Sequence, residues 1–297
     1  MPNLPESPRP ALEPPAAVPR EPFASLSLAG ADWTTLASPA RRLAVPYVLP
    51  GTVVALATVL LLWHGPIVQP AGYHDFADQR SLLGLAHAAD VLSNLGFAGV
   101  GLLGLVRLAR HGASPRLAEG RAGWTLFFAA LVLTSIGSAA YHLAPDNARL
   151  VGDRLPIALA CAGLLAAVWR ETIGVGRWVT PALAAAAVAS VAWWRFTDLD
   201  GVGDLRPYLL LQGLPLVLVP LLQWQHEAPV RERLAVGGAM ALYVLAKAFE
   251  GCDHGVFAAL GIVSGHTIKH LLATLAAALI GAMLAGRIGG APGARRP

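Results

Sequence analysis

The sequence predicts an all-α membrane protein, a polytopic bundle of eight spanning helices. Hydrophobic residues make up 55% of the 297 residues and charged residues only 13%, whereas soluble domains carry roughly 25% charged residues. The mean hydropathy is +0.56. Apolar runs recur between polar turns, and they lack the alternating pattern of a membrane β-barrel.

Each apolar run approaches the ~20 residues that a helix needs to cross the hydrocarbon core. Backbone groups in lipid must be satisfied within the segment, so the runs are predicted to be helices. The predicted spans are Ala44–Trp63, Asp90–Val106, Gly123–Leu143, Leu155–Val168, Trp178–Trp194, Pro207–Trp224, Leu234–Phe249 and Ile262–Leu284. Residues 1–43, rich in Pro, Glu and Ser, are predicted to be a disordered tail. A transmembrane domain at 44–286 and a short tail at 287–297 complete the predicted organisation.

Arginine placement predicts the orientation of these spans. Fifteen arginines fall on the side of the two tails and five on the other side, so the positive-inside rule places both termini in the cytoplasm. No basic stripe with interleaved aromatics is present, which argues against a nucleic-acid partner. Cys161 and Cys252 are too few for a disulfide framework.

The conspicuous polar residues of the spans collect at one depth, on the outer, arginine-poor side. Ser138 and His142 lie four residues apart near the end of the third span, and His266 and His270 share a face of the last span. Asp153 is predicted to open the fourth span from the same side. Ionisable groups inside a membrane are costly and usually mark function.

Three imidazoles from two helices suit a tetrahedral zinc ion with one position left for water. Zinc lowers the pKa of such a water to about 7, Asp153 would take its proton, and Ser138 would support an oxyanion or a neighbouring group. Hydrogen bonding between helices is the alternative explanation of a His-x-x-x-His pair. The shared depth of His142 and Asp153 favours the metal.

The combined pattern resembles the alkaline ceramidase family of the CREST superfamily of membrane hydrolases. It consists of Ser138-x-x-x-His142, then Asp153 after ten residues, then His266-x-x-x-His270, with Ser93-Asn94 similar to the start of the family's first core helix. The resemblance covers roughly residues 73–284. Phe76-Ala-Asp78-x-Arg80 is similar to a stretch of bacterial ceramidase-like proteins, which implies a bacterial inner membrane.

The resemblance implies a seven-helix core preceded by one extra helix. It also implies a zinc held by His142, His266 and His270, and hydrolysis of the amide bond of a ceramide-like membrane lipid on the outer side. Related enzymes bind calcium through an acidic segment before the first core helix. Here the candidate ligands are Asp75, Asp78 and Asp90, but the positive charge of Arg80 beside them argues against Ca²⁺, which prefers six to eight oxygens.

Two other functions remain open at this stage. A receptor or lipid-binding protein similar to the PAQR receptors of the same superfamily would use the zinc structurally; the free carboxylate of Asp153 favours hydrolysis over this. A proton-coupled transporter would spread its polar residues through the membrane depth, unlike this chain. Lys269 is predicted to face away from the two late histidines and to pair with Glu250 or extend toward the interface, and Lys247 is predicted to pair with Glu250.

Overall fold

The computed structural model describes residues 39–111, 117–174 and 176–289, with side chains from residue 47 onward. Within these ranges the chain forms ten helices and no strand. They are α1 (Pro39–His64), α2 (Ala88–Ser93), α3 (Leu95–Arg110), α4 (Arg121–Leu143), α5 (Asn147–Ile173), α6 (Val179–Leu199), α7 (Arg206–Gln225), α8 (Val230–Gly251), α9 (Asp253–Leu260) and α10 (Gly265–Gly289). Of the predicted tails at 1–43 and 287–297, residues 1–38 and 290–297 lie outside the described residues, and residues 39–43 and 287–289 are helical and belong to α1 and α10.

Eight stretches are long and apolar enough to cross a membrane, when α2 and α3 are taken as one. This confirms the predicted polytopic helix bundle. The spans centre on α5, which packs against α4, α6 and α7, while α10 packs against α8 and α3. Helix α1 is the least buried span, so its side chains face mainly outward.

The fourth span begins earlier and is longer than predicted. The Asp146 side chain caps α5 by accepting a hydrogen bond from the backbone N–H of Arg149 at 2.7 Å, a standard N-cap interaction. The helix ends at Gly174 in the left-handed conformation (φ 68°), which glycine adopts without strain. Asp153 therefore lies in the second turn of α5 and does not open it, which corrects the predicted position.

The crossing of α4 and α5 is a contact between backbones. A Cβ placed on Gly137 would lie 1.9 Å from the Gly152 carbonyl oxygen. Pro156, four residues after Gly152, has no N–H with which to bond that carbonyl. Small residues allow membrane helices this close an approach. The crossing sets Ser138 and Asp153, the next residue in each helix, at the same level.

Helix α4 ends, and α5 and α10 begin, at one end of the bundle, here called the histidine end. The loop at 65–87, here called the cover loop, lies over this end. Asp204 fixes one part of the loop by accepting a hydrogen bond from the Ile67 backbone N–H at 3.3 Å. Burial acts to raise the pKa of Asp204, but hydrogen bonds from Arg206 and Trp193 outweigh it and lower the pKa to about 2. Asp204 is therefore a charged anchor for the loop.

Candidate metal centre and adjoining cavity

Three buried histidines meet at the histidine end of the bundle. His142 comes from the last turn of α4, and His266 and His270 come from the first turns of α10. Their ring centroids lie 4.8 to 5.1 Å apart in a nearly equilateral triangle. One nitrogen of each lies within 4.8 Å of the others, and among the described residues this is the only His, Cys, Asp or Glu group compact enough to hold a metal.

The start of α10 explains why its two histidines point into the bundle. The Ser264 hydroxyl oxygen accepts a hydrogen bond from the Thr267 backbone N–H at 2.9 Å and so caps the helix. The Asp253 carboxylate accepts from the His266 backbone N–H at 2.8 Å. These two hydrogen bonds satisfy the backbone N–H groups at the start of α10. Within the helix, the four-residue spacing of His266 and His270 places both rings on one buried face.

Ser93 determines which nitrogen of His270 is free. The Ser93 hydroxyl donates to the Asp90 backbone carbonyl at 2.9 Å and also lies 2.8 Å from Nδ1 of His270. Because a hydroxyl has one hydrogen, Ser93 accepts at the second contact, and Nδ1 of His270 carries the proton. Nε2 is then a bare lone pair, and among the described residues it is buried without a partner. Metal-binding histidines are commonly oriented by such a hydrogen bond on the other nitrogen.

The donor set fits a small divalent transition metal. Nε2 of His142 and Nε2 of His266 lie 3.3 Å apart, close to the ~3.3 Å that separates two nitrogens about 2.05 Å from a tetrahedral zinc. The unpartnered Nε2 of His270 supplies a third donor. Neutral imidazoles suit Zn²⁺ and several neighbouring transition metals. The residues therefore fit a metal ion without specifying zinc.

Lys269 contacts this cluster, which corrects the prediction that it faces elsewhere. Its Nζ lies 2.9 Å from Nε2 of His266 and 3.1 Å from Glu250. The predicted pairing of Lys269 with Glu250 is confirmed, and Lys247 also pairs with Glu250. A lone pair of His266 cannot accept from Lys269 and bind a metal at once, so metal binding requires the ammonium to withdraw toward Glu250.

Phe76 of the cover loop closes the histidine cluster from outside the bundle. Its ring centroid lies 4.6 Å from those of both His142 and His266, and the side chain is buried. The next residue, Ala77, donates its backbone N–H to the Asp253 carboxylate at 2.9 Å. The Asp253 carboxylate therefore accepts hydrogen bonds from both the cover loop and the start of α10.

Ser138 and Asp153 lie together on the bundle side of the cluster, as the sequence predicts. Both are buried, and the Ser138 hydroxyl lies near the Asp153 carboxylate. With His270 and Lys269 they line one part of a cavity of about 250 Å³. The rest of the cavity wall is mainly apolar and includes Phe97, Phe127, Leu131, Leu164, Ala276 and Ala277.

The aspartates considered for calcium do not form a compact group with one another within the described residues. Asp90 is buried and accepts hydrogen bonds from the hydroxyls of Thr267 at 2.6 Å and Ser264 at 3.3 Å, so it joins α2 to α10. Asp75 is exposed beside His254. The described structure therefore does not bring the three candidate ligands together.

Asp78 has a different partner, the guanidinium of Arg80. It pairs with Arg80 through two hydrogen bonds of 2.6 and 2.8 Å, and the bond from Arg80 lowers the pKa of Asp78. Arg80 also donates to the backbone carbonyl of Ile262 at 2.8 Å. The guanidinium thereby joins the cover loop to the segment before α10.

Sequence reasoning missed four residues of this region. Ser93 was noted only for its resemblance to a family motif, and Phe76 and Asp253 were given no role. Arg154 was counted as an arginine outside the spans, but it is buried inside α5 and lines the cavity.

In comparisons with known proteins, no family model and no curated sequence matches this chain.

Proposed function

We propose that this protein is a zinc-dependent membrane hydrolase that cleaves the amide bond of a ceramide-like lipid. The observation that carries the proposal is the position of the three buried histidines. One of them, His270, lines a mainly apolar cavity together with Ser138 and Asp153. The resemblance of the same residues to the alkaline ceramidase motif set supports an amide as the scissile bond.

Five polar residues have a part in the proposed reaction. His142, His266 and His270 would hold the metal, which when bound supplies a Lewis acid and lowers the pKa of water toward about 7. The Asp153 carboxylate accepts the proton that water loses as it attacks the amide carbonyl, and passes it to the leaving nitrogen. The Ser138 hydroxyl, which lies near Asp153, would help to orient its carboxylate.

The apolar part of the cavity is suited to an acyl chain. Phe97, Leu131 and Ala277 contribute to a wall that offers hydrocarbon surface rather than hydrogen bonds. A chain held there would place its carbonyl carbon at the polar end, near Asp153. The products would be a fatty acid and a lipid amine.

A receptor or lipid-binding protein with a structural zinc is the second candidate. The Phe76 ring covers His142 and His266, and of the three histidines only His270 lines the cavity. A closed metal site of this kind is typical of structural zinc. Turnover of a lipid amide distinguishes the two functions.

The first experiment measures bound metal in protein purified in detergent without chelator. We expect about one zinc ion per chain in the wild type and none in His266→Ala. His226→Ala is the matched control, because His226 is exposed at the end of α7, away from the cluster, and it should retain the metal. Equal metal in all three proteins would reject the ligand assignment. Hydrolysis of N-acyl lipids by the zinc-loaded wild type then tests the reaction.

We also propose that the protein lies in the cell membrane with cytoplasmic termini and an outward-facing site, which the arginine distribution supports. Cys252 offers a natural reporter, because it is exposed just after α8 at the histidine end. A membrane-impermeant maleimide should label Cys252 in intact cells, and Cys252→Ser should abolish the labelling. Labelling only after the cells are opened would reverse the orientation.

A further inference from the structure

Arg154 is a buried cation beside the proposed reaction site. It lies in the second turn of α5, is 2% exposed, and lines the same cavity as Asp153. A charge buried in a membrane span normally pairs with another group or marks a binding site. The proposed hydrolysis assigns no role to Arg154.

Aromatic rings surround the guanidinium of Arg154. Its central carbon lies 4.0 Å from the ring centroid of Trp194, 4.9 Å from that of Tyr73 and 5.5 Å from that of Tyr208. Ring faces attract a cation, but they do not replace the acceptors that its five N–H groups need. Nε and Nη1 are buried without a hydrogen-bond partner in the described part of the chain.

The neighbouring carboxylates do not neutralise Arg154. Of the two carboxylates that line the cavity, Glu250 already pairs with both Lys247 and Lys269. Asp153 is the adjacent residue in α5, and side chains one position apart on a helix do not face each other. No ion pair joins Asp153 to Arg154 among the described residues. The cavity therefore has three cationic side chains against two carboxylates.

We propose that Arg154 binds an anionic oxygen group of the substrate, a carboxylate or a phosphate, on the amine side of the amide. The guanidinium presents planar paired N–H donors that match both groups, and the aromatic rings hold it in place. This inference rests on the proposed hydrolysis and specifies its substrates as lipid amides with an acidic head group, in place of neutral ones.

Three amides with one acyl chain and different head groups test the proposal. They are N-lauroylglycine, N-lauroylphosphoethanolamine and the neutral N-lauroylethanolamine. The wild type should show a higher kcat/KM for at least one anionic amide than for the neutral amide, and the better of the two identifies the preferred anion. In Arg154→Gln the ratio of anionic to neutral kcat/KM should fall about 10- to 100-fold, as expected for a lost charged hydrogen bond.

The ratio is taken within one protein, so a general loss of folded enzyme cancels from it. Arg154→Lys keeps the charge without the paired donors and should lower the ratio less. Arg149→Gln is the matched control on the same helix, because Arg149 is half exposed and pairs with Asp146; its ratio should equal that of the wild type. An unchanged ratio in Arg154→Gln would show that the arginine only packs against the aromatic rings, and would overturn the proposal.

A binding measurement separates failure of this inference from failure of the proposed hydrolysis. If the wild type hydrolyses none of the three amides, the proposed hydrolysis is rejected. The anion site is then tested by the binding of dodecyl phosphate, dodecanoate and dodecanol to the purified protein. Tighter binding of either anion than of the alcohol, lost in Arg154→Gln, supports the site. Equal binding of all three by the wild type overturns it.

Discussion

Replacing Gly137 with alanine probes the closest helix crossing and the site beside it. The added methyl carbon would lie 1.9 Å from the Gly152 carbonyl oxygen and 2.7 Å from its carbon, whereas ordinary contacts begin near 3.4 Å. The helices must therefore separate by about 1.5 Å, because both partners are backbone atoms and no side-chain rotation relieves the overlap. Overpacking of this kind costs about 1–3 kcal/mol.

The same displacement should impair the proposed site. Ser138 and Asp153 each follow one of the two glycines, so separating the helices draws the hydroxyl away from the carboxylate. A misplacement of about 1 Å at a catalytic group can cost around 10²-fold in rate. We therefore expect Gly137→Ala to lose both stability and turnover.

Unfolding in detergent with increasing SDS measures the stability, and lipid-amide hydrolysis measures the turnover. Gly99→Ala is the matched control, since its added methyl group would meet no atom within 4 Å. On helix propensity alone, each substitution should stabilise the protein by up to about 1 kcal/mol. If Gly137→Ala unfolds at the same SDS concentration as Gly99→Ala, the close backbone contact does not limit the packing of α4 and α5.

Three further predictions concern single residues. Asp153→Asn should retain zinc but lower turnover roughly 10²- to 10⁴-fold, the usual contribution of a general base, as measured by metal content and hydrolysis rate on one sample. Arg287→Met should destabilise the protein by about 3–5 kcal/mol in SDS unfolding, because it leaves the buried carboxylate of Glu232 and the partly buried carboxylate of Glu171 without the arginine that pairs with both. Asp204, whose folded pKa of about 2 lies below its ordinary 3.8, contributes stability that is present above about pH 4 and lost as the pH falls toward 2. This pH dependence should be absent from Asp204→Asn.

The helices could be predicted because membrane crossing imposes a length and an apolar composition that the sequence displays directly. The bounds of α4 agree closely with the prediction, Gly123–Leu143 against Arg121–Leu143. The fourth span was predicted to begin at Leu155, one residue before Pro156. In fact Asp146 caps the helix well before it, and the proline lies inside. The eight-residue helix α9 is too short to give a periodic signal.

The metal-binding candidates could be predicted because spacing along a helix determines which residues share a face. The four-residue separation of His266 and His270 was enough to predict that they share a face, and the predicted depth of His142 was enough to place it beside them. Contacts between distant segments have no such signal. The position of Phe76 over the histidines depends on a loop path, and Lys269 reaches His266 through the length and freedom of its side chain. The burial of Arg154 could not be predicted, because an arginine near a proline is also typical of the end of a span.

The Phe76 ring over the histidines has a kinetic consequence. An ion held by His142 and His266 would have no direct path to bulk water past that ring, and the cover loop is fastened through Ala77 to Asp253. Exchange of the ion with a chelator on the outer side of the cluster would then require a local opening of the loop, an event with its own free energy. The exchange rate should reach a ceiling as chelator concentration rises. Loosening the loop with Asp253→Asn should raise that ceiling.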